Sequence, residues 1–536
     1  MSQPREADRN IVLTGFMGTG KTTVGREVAR RLGRPFVDMD REIEARAGKP
    51  VPRIFAEDGE AAFRKMEAEL CVELAAERGM VIATGGGALI DPANRAAMAE
   101  RSTIVCLTCA PEEILHRVRG GGAGGRPLLD CGDPRAEIER LLAARRAAYA
   151  KIPWQVETTG RSLAEIAAHV IRVAGARTIP VRHGGGAYPI HIGAGLLDHA
   201  GGALRAAGVE RGGRVAVVSN PVVAPLYAER TMDALAGAGL SPFLCQVPDG
   251  EAHKTLDTVA ALYDQFLAGG LDRSGTVLGL GGGVTGDEAG FAAATYLRGV
   301  RLAQVPTTLL AMVDASVGGK TGIDLPQGKN LAGAFKQPVL VLIDPDVLAT
   351  LPAEEVRSGM GEMIKHGVIG VSELFAEIEA SPVTARGEEL PGDWIARALE
   401  VKKEIVEQDP FEEGQRAVLN LGHTVGHAVE TLSGYDLRHG EAVAIGMVAA
   451  ARIAVALSRA DGALVERIEG VLRRWGLPVR CPPFTVDEVW AAMAHDKKRR
   501  AGRLRWVVPL AVGEVEIFDD VPPAVVHKVL RTMGAR

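Results

Sequence analysis

The stretch Gly15-Phe16-Met17-Gly18-Thr19-Gly20-Lys21-Thr22 constrains the fold of this chain more than any other. It follows the apolar triplet Ile11-Val12-Leu13 and precedes a helical pattern that runs through Arg31. Glycines at this spacing let backbone N–H groups turn inward around phosphates, and the N-terminus of the next helix favours the anion. Gly18, Thr19 and Gly20 would line the cradle, with Thr23 beside them. Lys21 would reach the β- and γ-phosphates, and the Thr22 hydroxyl would ligate magnesium. Strand-like Pro35-Phe36-Val37, Val81-Ile82-Ala83 and Ile104-Val105-Cys106 then alternate with helical segments to about Ala174. The expectation is α/β: a phosphate-binding domain with a parallel sheet and helices on both faces.

The loop does not name the phosphate acceptor, so other polar residues must. Asp38-Met39-Asp40 follows the second strand, and alternation is expected to aim both carboxylates the same way. One suits magnesium and the other suits accepting a proton from a hydroxyl; a solvated acidic loop end is the plainer alternative. Phe63-Arg64, Gly85-Gly86-Gly87, Arg126-Pro127-Leu128-Leu129 and Arg145 with Tyr149 complete the set. Together these resemble the shikimate kinase family from residue 10 to about 170. The resemblance implies ATP on Gly18–Thr23 with Arg119 near the adenine, and magnesium on Thr22 and Asp38. It implies shikimate on Asp40, Arg64, Gly85, Gly86, Gly87 and Arg145, and catalysis by Lys21, Asp40 and a lid residue, Arg126. Gly120 to Gly125 would hinge that lid. One stretch, Lys151-Ile152-Pro153-Trp154, departs from the family's usual pattern after Tyr149.

Around Gly175 to Pro180 the pattern lapses, and strands resume at Tyr188-Pro189-Ile190-His191-Ile192. The expected division is residues 1–174, a linker at 175–180, an α/β part at 181–350 and a helical part at 351–536. In the α/β part Val277-Leu278-Gly279-Leu280 leads into Gly281-Gly282-Gly283-Val284-Thr285-Gly286-Asp287, a glycine turn after a buried strand that suits a dinucleotide but is a weak signal alone. Farther on, His423 and His427 are four apart, which places both imidazoles on one helical face. His439 follows and Glu362 precedes them. Two histidines and a carboxylate leave an open position on a zinc ion.

From residue 180 onward these motifs resemble 3-dehydroquinate synthase, a Rossmann-like α/β subdomain followed by a helical one. The resemblance implies NAD, used catalytically, on Asp249, Glu251, Lys254, Gly281, Gly282, Gly283, Val284, Asp287, Thr307, Thr308, Lys320, Lys329, Val347 and Thr350. It makes Glu362, His423 and His439 the ligands of zinc or cobalt, with His427 a catalytic or orienting neighbour. Lys320, Lys365 and Lys402 join His427 as catalytic residues. Substrate would meet Arg298, Asp314, Lys329, Asn330, Arg416 and Asn420. Arg298 would reach across to a neighbouring subunit, implying a homodimer. The Asp-Lys-Lys at 496–498 also has a family role, but Arg499 to Arg505 are read as solvated charge.

The alternatives are a metal-dependent polyol dehydrogenase for the second half and a non-catalytic nucleotide-responsive module for the first. A net charge of −5 gives no reason to expect nucleic acid or membrane, and 4% aromatic residues leave little for base stacking. No apolar core follows the charged N-terminus, so no signal peptide is expected. No run is expected to span a membrane: Ala442 to Leu457 is interrupted by Arg452. The scattered cysteines, including the strand-borne Cys106 and Cys109, read as reduced thiols in a cytoplasmic protein. Expected partners are small molecules: ATP, shikimate and a heptulosonate phosphate.

Overall fold

The computed structural model describes residues 9–120, 133–384, 386–495, 499–500, 503–519 and 521–536. Arg126, most of the expected lid, Lys497 and Lys498 lie outside the described residues. The chain forms two compact units: one runs to Arg177 and adds Gly193–Gly213 and Asp233–Ser241, and the other comprises the rest.

The first unit is built on a five-stranded parallel sheet in the order Phe36–Asp38, Val81–Ala83, Asn10–Gly15, Ser102–Thr108, Trp154–Glu157. Asn10–Gly15 and Val81–Ala83 are buried at every position, as strands covered by helices on both faces must be. Because Asn10–Gly15 sits at the centre, the glycine loop leaves the middle of the sheet's carboxyl edge. Gly15 has φ +132°, and a side chain there would strike the Leu107 carbonyl on the next strand. The divergent Lys151–Trp154 stretch leads into the edge strand, whose first residue, Trp154, is buried.

The second unit has a seven-stranded sheet in the order Arg177–His183, Gly186–Ile192, Leu340–Ile343, Arg301–Pro306, Thr276–Gly281, Arg214–Ser219, Ser241–Gln246. Its five central strands are parallel. Strand therefore begins at Arg177, within the stretch where the sequence pattern lapses. Arg177-Thr178-Ile179-Pro180-Val181 alternates exposed and buried residues without a hydrophobic run to announce it. An antiparallel ribbon, Lys320–Leu325 with Gly328–Phe335, comes between the sheet strands Arg301–Pro306 and Leu340–Ile343.

Beyond residue 351 helices dominate, with two late antiparallel pairs, a short one of Arg499–Arg500 with Arg503–Leu504 and a hairpin of Trp506–Ala511 with Glu514–Phe518. At the centre lies the helix His439–Ala456. By length and composition it is apolar enough to cross a membrane, contrary to the expectation that no run would be, because it begins three residues before Ala442. Of this helix 72% is buried inside the unit, packed on the helices Ala353–Ile369, His423–Leu432 and Gly462–Arg474. Glycine makes the approach this close. A Cβ on Gly446 would collide with the Gly422 carbonyl, and one on Gly440 with the Ser358 carbonyl.

Candidate active sites

In the first unit the loop is preorganised for phosphate. The helix Lys21–Leu32 starts at Gly20, in the left-handed region and without a side-chain cap, so its first N–H groups face the loop. Lys21 Nζ donates to the Gly15 and Phe16 carbonyls at 3.0 Å each. Thr22 Oγ1 donates to Asp38 Oδ2 at 2.6 Å, placing beside the loop the hydroxyl–carboxylate pair that magnesium needs. Thr23 is exposed at the start of the same helix.

Asp38 and Asp40 are not strand neighbours, so the alternation expected of them does not hold. Asp38 ends its strand and caps the helix Met39–Ala47, so Asp40 lies in a helical first turn and alternation no longer applies. Asp40 turns toward Gly85, where a Cβ would lie 2.7 Å from both Asp40 Oδ1 and Glu67 Oε1. Burial raises the Asp40 carboxyl above its ordinary value, partly offset by Lys21 and Arg64. Burial likewise raises Glu67, a residue the sequence did not single out. Glu67 Oε2 accepts from Arg64 Nη1 at 2.7 Å and so aims that guanidinium past Gly87. Opposite, Arg145 Nη1 and the Tyr149 hydroxyl both donate to the Gly86 carbonyl, at 3.3 and 2.8 Å. Arg64 and Arg145, with Asp40 and the buried Glu67, thus face a floor of three glycines. Arg119 is exposed at the end of its helix, whereas its neighbour Arg117 reaches the Gly18 carbonyl at 3.4 Å and the Thr158 carbonyl at 3.0 Å. Arg117, spaced two residues from Arg119, therefore meets the loop at Gly18.

In the second unit, Gly281–Gly283 joins the strand Thr276–Gly281 to the helix Gly283–Thr295. That helix has no side-chain cap and no acid in its first turn, and a Cβ on Gly282 would lie 3.2 Å from Thr308. The turn is a cradle that only glycine leaves open, so it fits a pyrophosphate. Around it Lys254, 4% exposed, donates to Asp287 Oδ2 at 2.6 Å and to Asn330 Oδ1 at 2.7 Å. Asn330 adopts φ +54° and donates its N–H to Asp324. Asp249 accepts from Asn220 at 2.7 Å, and Val347 and Thr350 both meet the Tyr227 hydroxyl. Val284 follows in the first turn of the helix, and Thr307 donates its N–H to Gly281.

The metal set comes together as three helices converge. The ligand atoms of Glu362, His423 and His439 all lie within 4.8 Å of one another. His439 Nε2 is 3.4 Å and His423 Nε2 3.8 Å from Glu362 Oε1. Glu362 is fully buried, yet neither carboxylate oxygen accepts a hydrogen bond of ordinary geometry, although Lys365 forms an ion pair with it. A buried carboxylate so placed among imidazoles fits a divalent metal. His427 lies beside both histidines, edge-on to His423 with ring centroids 5.0 Å apart and tilted against His439 at 5.9 Å. His366, one turn after Glu362 and fully buried, joins this region; burial holds its imidazole down at about 4.

Cations gather around the same residues. Lys402 Nζ is 2.7 Å from Asp314 Oδ1, and Asp314 sits in a π-helical turn, Ala311–Ala315. Burial works against the Asp314 charge, but Lys402 and Lys365 outweigh it and hold the carboxyl well below the usual range. Lys320 pairs with Glu412, which also accepts from Asn420 at 3.0 Å. Arg416 is 2% exposed and donates to the Pro410 and Gly318 carbonyls. Lys329 Nζ lies 3.1 Å from Glu430 and 3.4 Å from Glu251. Arg298 is exposed on the turn Tyr296–Arg298, where Leu297 and Arg298 take φ +50° and +66°. Sequence reasoning missed Glu412 and Glu430, whose spacing of three from His427 was the available signal for the latter.

Comparison with known proteins agrees with both geometries. A family model described as shikimate kinase matches residues 17–174. Models of the 3-dehydroquinate synthase N-terminal and C-terminal domains match residues 244–358 and 359–499. The 3-dehydroquinate synthase of Microcystis aeruginosa is 47% identical over 357 residues, covering 66% of this chain and 97% of that one. Among solved structures, the 2-epi-5-epi-valiolone synthase of Streptomyces hygroscopicus subsp. jinggangensis, with NAD+ and Zn2+ bound, is 32% identical with a TM-score of 0.60, covering 65% of this chain and 96% of that one. A 2-deoxy-scyllo-inosose synthase complexed with carbaglucose-6-phosphate, NAD+ and Co2+ is 25% identical with a TM-score of 0.61, covering 67% and 100%. The chain belongs to the 3-dehydroquinate synthase family and carries a shikimate kinase domain ahead of the synthase.

Proposed function

We infer that this chain is a bifunctional enzyme of the shikimate pathway. It phosphorylates shikimate with ATP to shikimate 3-phosphate. It also converts 3-deoxy-D-arabino-heptulosonate 7-phosphate to 3-dehydroquinate and phosphate. The observation that carries the reading is the pairing, on one chain, of a phosphate loop beside two arginines and two acids with a Glu-His-His metal set flanked by buried lysines. A polyol dehydrogenase would have no use for Lys320, Lys365, Lys402 and Arg416, which suit an anionic substrate.

In the kinase, Lys21 exchanges the Gly15 and Phe16 carbonyls for the phosphates, and Thr22 with Asp38 would hold magnesium, which would offset charge on the transferring group. Arg64 and Arg145 grip the shikimate carboxylate and fix the ring over Gly85–Gly87. Asp40 Oδ1 takes the proton of the attacking hydroxyl, a task its raised pKa suits. Arg117 and Arg119 serve the nucleotide side, and Arg126 the lid.

In the synthase, Glu362, His423 and His439 would hold a zinc or cobalt ion, which with NAD would supply reversible oxidation at one carbon and acidify the hydroxyl there. Asp314, Asn330, Arg416, Asn420 and the lysines orient the substrate, and Lys402, held by Asp314, stays placed against its anionic groups. His427 stands one helical turn from His423, in position to move a proton at the reacting oxygen. Arg298 completes the phosphate site of a neighbouring subunit, so the enzyme works as a homodimer, in the cytoplasm. The functional division is residues 1–174, 175–180, 181–350 and 351–536. The purified chain tests all this at once: shikimate-dependent ADP formation and heptulosonate-phosphate-dependent phosphate release from one preparation support it, and loss of either overturns that half.

A further inference from the structure

His439 is bracketed by two carboxylates, and only one of them belongs to the proposed metal set. Its Nε2 faces Glu362 Oε1 at 3.4 Å, and its Nδ1 faces Glu430 Oε2 at 3.5 Å. The other ligand histidine is oriented in a parallel way. His423 Nδ1 lies 3.1 Å from the Leu421 carbonyl, a partner that accepts and never donates, which leaves Nε2 for the metal. Glu430 therefore plays toward His439 the part the Leu421 carbonyl plays toward His423. It accepts from Nδ1–H, fixes the tautomer and turns Nε2 toward Glu362.

Glu430 is itself well held. It is 5% exposed on the helix His423–Leu432, three residues past His427. Its second oxygen, Oε1, accepts from Lys329 Nζ at 3.1 Å. Lys329 comes from the ribbon strand Gly328–Phe335 and also reaches Glu251 at 3.4 Å and the Tyr435 ring at 4.2 Å. The two oxygens thus serve two different tasks. One aims a ligand imidazole, and the other anchors a lysine assigned above to NAD and substrate.

We propose that Glu430 is a positioning residue of the synthase site, orienting His439 for the metal while tethering Lys329 to the same carboxylate. The proposal rests on the Glu362–His423–His439 metal reading. A carboxylate behind a metal-bound imidazole raises the ligand's basicity and holds its plane, and losing such a partner costs about 10–100-fold in metal affinity.

The test is a Co2+ titration of the metal-free full chain, followed by visible absorption, on the wild type and on Glu430→Gln, Glu430→Asp and Lys329→Met. The wild type should bind one equivalent. Glu430→Gln should bind about 10–100-fold more weakly, with altered ligand-field bands in the saturated protein. Lys329→Met, which leaves the Glu430–His439 contact in place, should stay within about threefold of wild type. Glu430→Asp keeps the charge but shortens the reach, and should also weaken binding about tenfold or more; it replaces Glu430→Gln if circular dichroism shows that variant unfolded. Wild-type affinity and spectrum in folded Glu430 variants would overturn the proposal and leave the metal site standing. A wild type that binds no stoichiometric Co2+ would instead overturn the metal reading itself.

Discussion

Replacing Glu288 with methionine should stabilise the synthase unit, and by an amount that grows with pH. Glu288 lies on the helix Gly283–Thr295, is fully buried, and neither of its carboxylate oxygens has a hydrogen-bond partner. Burial pushes its pKa from an ordinary 4.5 up to about 8, with Lys254 opposing and Asp287 reinforcing the rise. In the unfolded chain this group ionises above 4.5, whereas in the folded chain it keeps its proton to about 8. The folded state binds the extra proton across that window, so stability falls as pH rises through it. At about 1.36 kcal/mol per pH unit the loss reaches roughly 5 kcal/mol by pH 8.5 and is roughly 1 kcal/mol at pH 5.5. A further 1–3 kcal/mol or so comes from the unpartnered carboxyl at any pH. Glu288→Met removes both contributions at similar volume. Urea unfolding read by hydrogen exchange in peptides covering Gly283–Thr295, at pH 5.5 and 8.5, measures the gain where it arises. The expected signature is a gain several kcal/mol larger at the higher pH. Equal gains at both, or destabilisation, would refute the reasoning.

Gly85→Ala should raise the KM for shikimate at least tenfold, because its Cβ would lie 2.7 Å from both Asp40 and Glu67, while phosphate release by the synthase is unchanged; steady-state kinetics of both reactions check this. Gly446→Ala should cost several kcal/mol and lower metal content, since the collision with Gly422 pushes the His439 helix off the His423 helix; thermal denaturation and metal analysis report it. Asp40 must be ionised to accept a proton, and burial raises its pKa. The acid limb of kinase kcat/KM should therefore fall above the ordinary aspartate value of 3.8 and move with Lys21→Met; a limb at 3.8 in both would contradict this.

The sequence revealed most where function is local. The phosphate loop is eight consecutive residues whose chemistry follows from their order, and His423 with His427 meet because helical spacing puts them on one face. Reading Asp38 and Asp40 as strand neighbours went astray at a single boundary: Asp38 caps a helix that starts at Met39, and Arg41 donating to its side chain is the trace of that cap. What stayed hidden were the acids that hold the cations. Glu67 sits one turn from Arg64 and was in reach of an i, i+3 argument, but Glu412 beside Lys320 and Glu430 beside Lys329 are separated from their partners by about ninety to a hundred residues. Nothing local distinguishes Glu412 from a surface glutamate, and Glu430 offers only its spacing of three from His427. The strand at Arg177 and the hairpin at Trp506 were obscured for a related reason: the first alternates with charged and prolyl residues, and the second follows a basic run.

The most direct test of the account is phosphate release from 3-deoxy-D-arabino-heptulosonate 7-phosphate by the intact chain, with substoichiometric NAD+, absorbance at 340 nm followed in parallel, before and after treatment with a chelator selective for zinc over magnesium. The account requires many turnovers per NAD+, no accumulating NADH, and loss of activity on chelation that zinc or cobalt restores. Stoichiometric NADH, or release indifferent to the chelator, would contradict it.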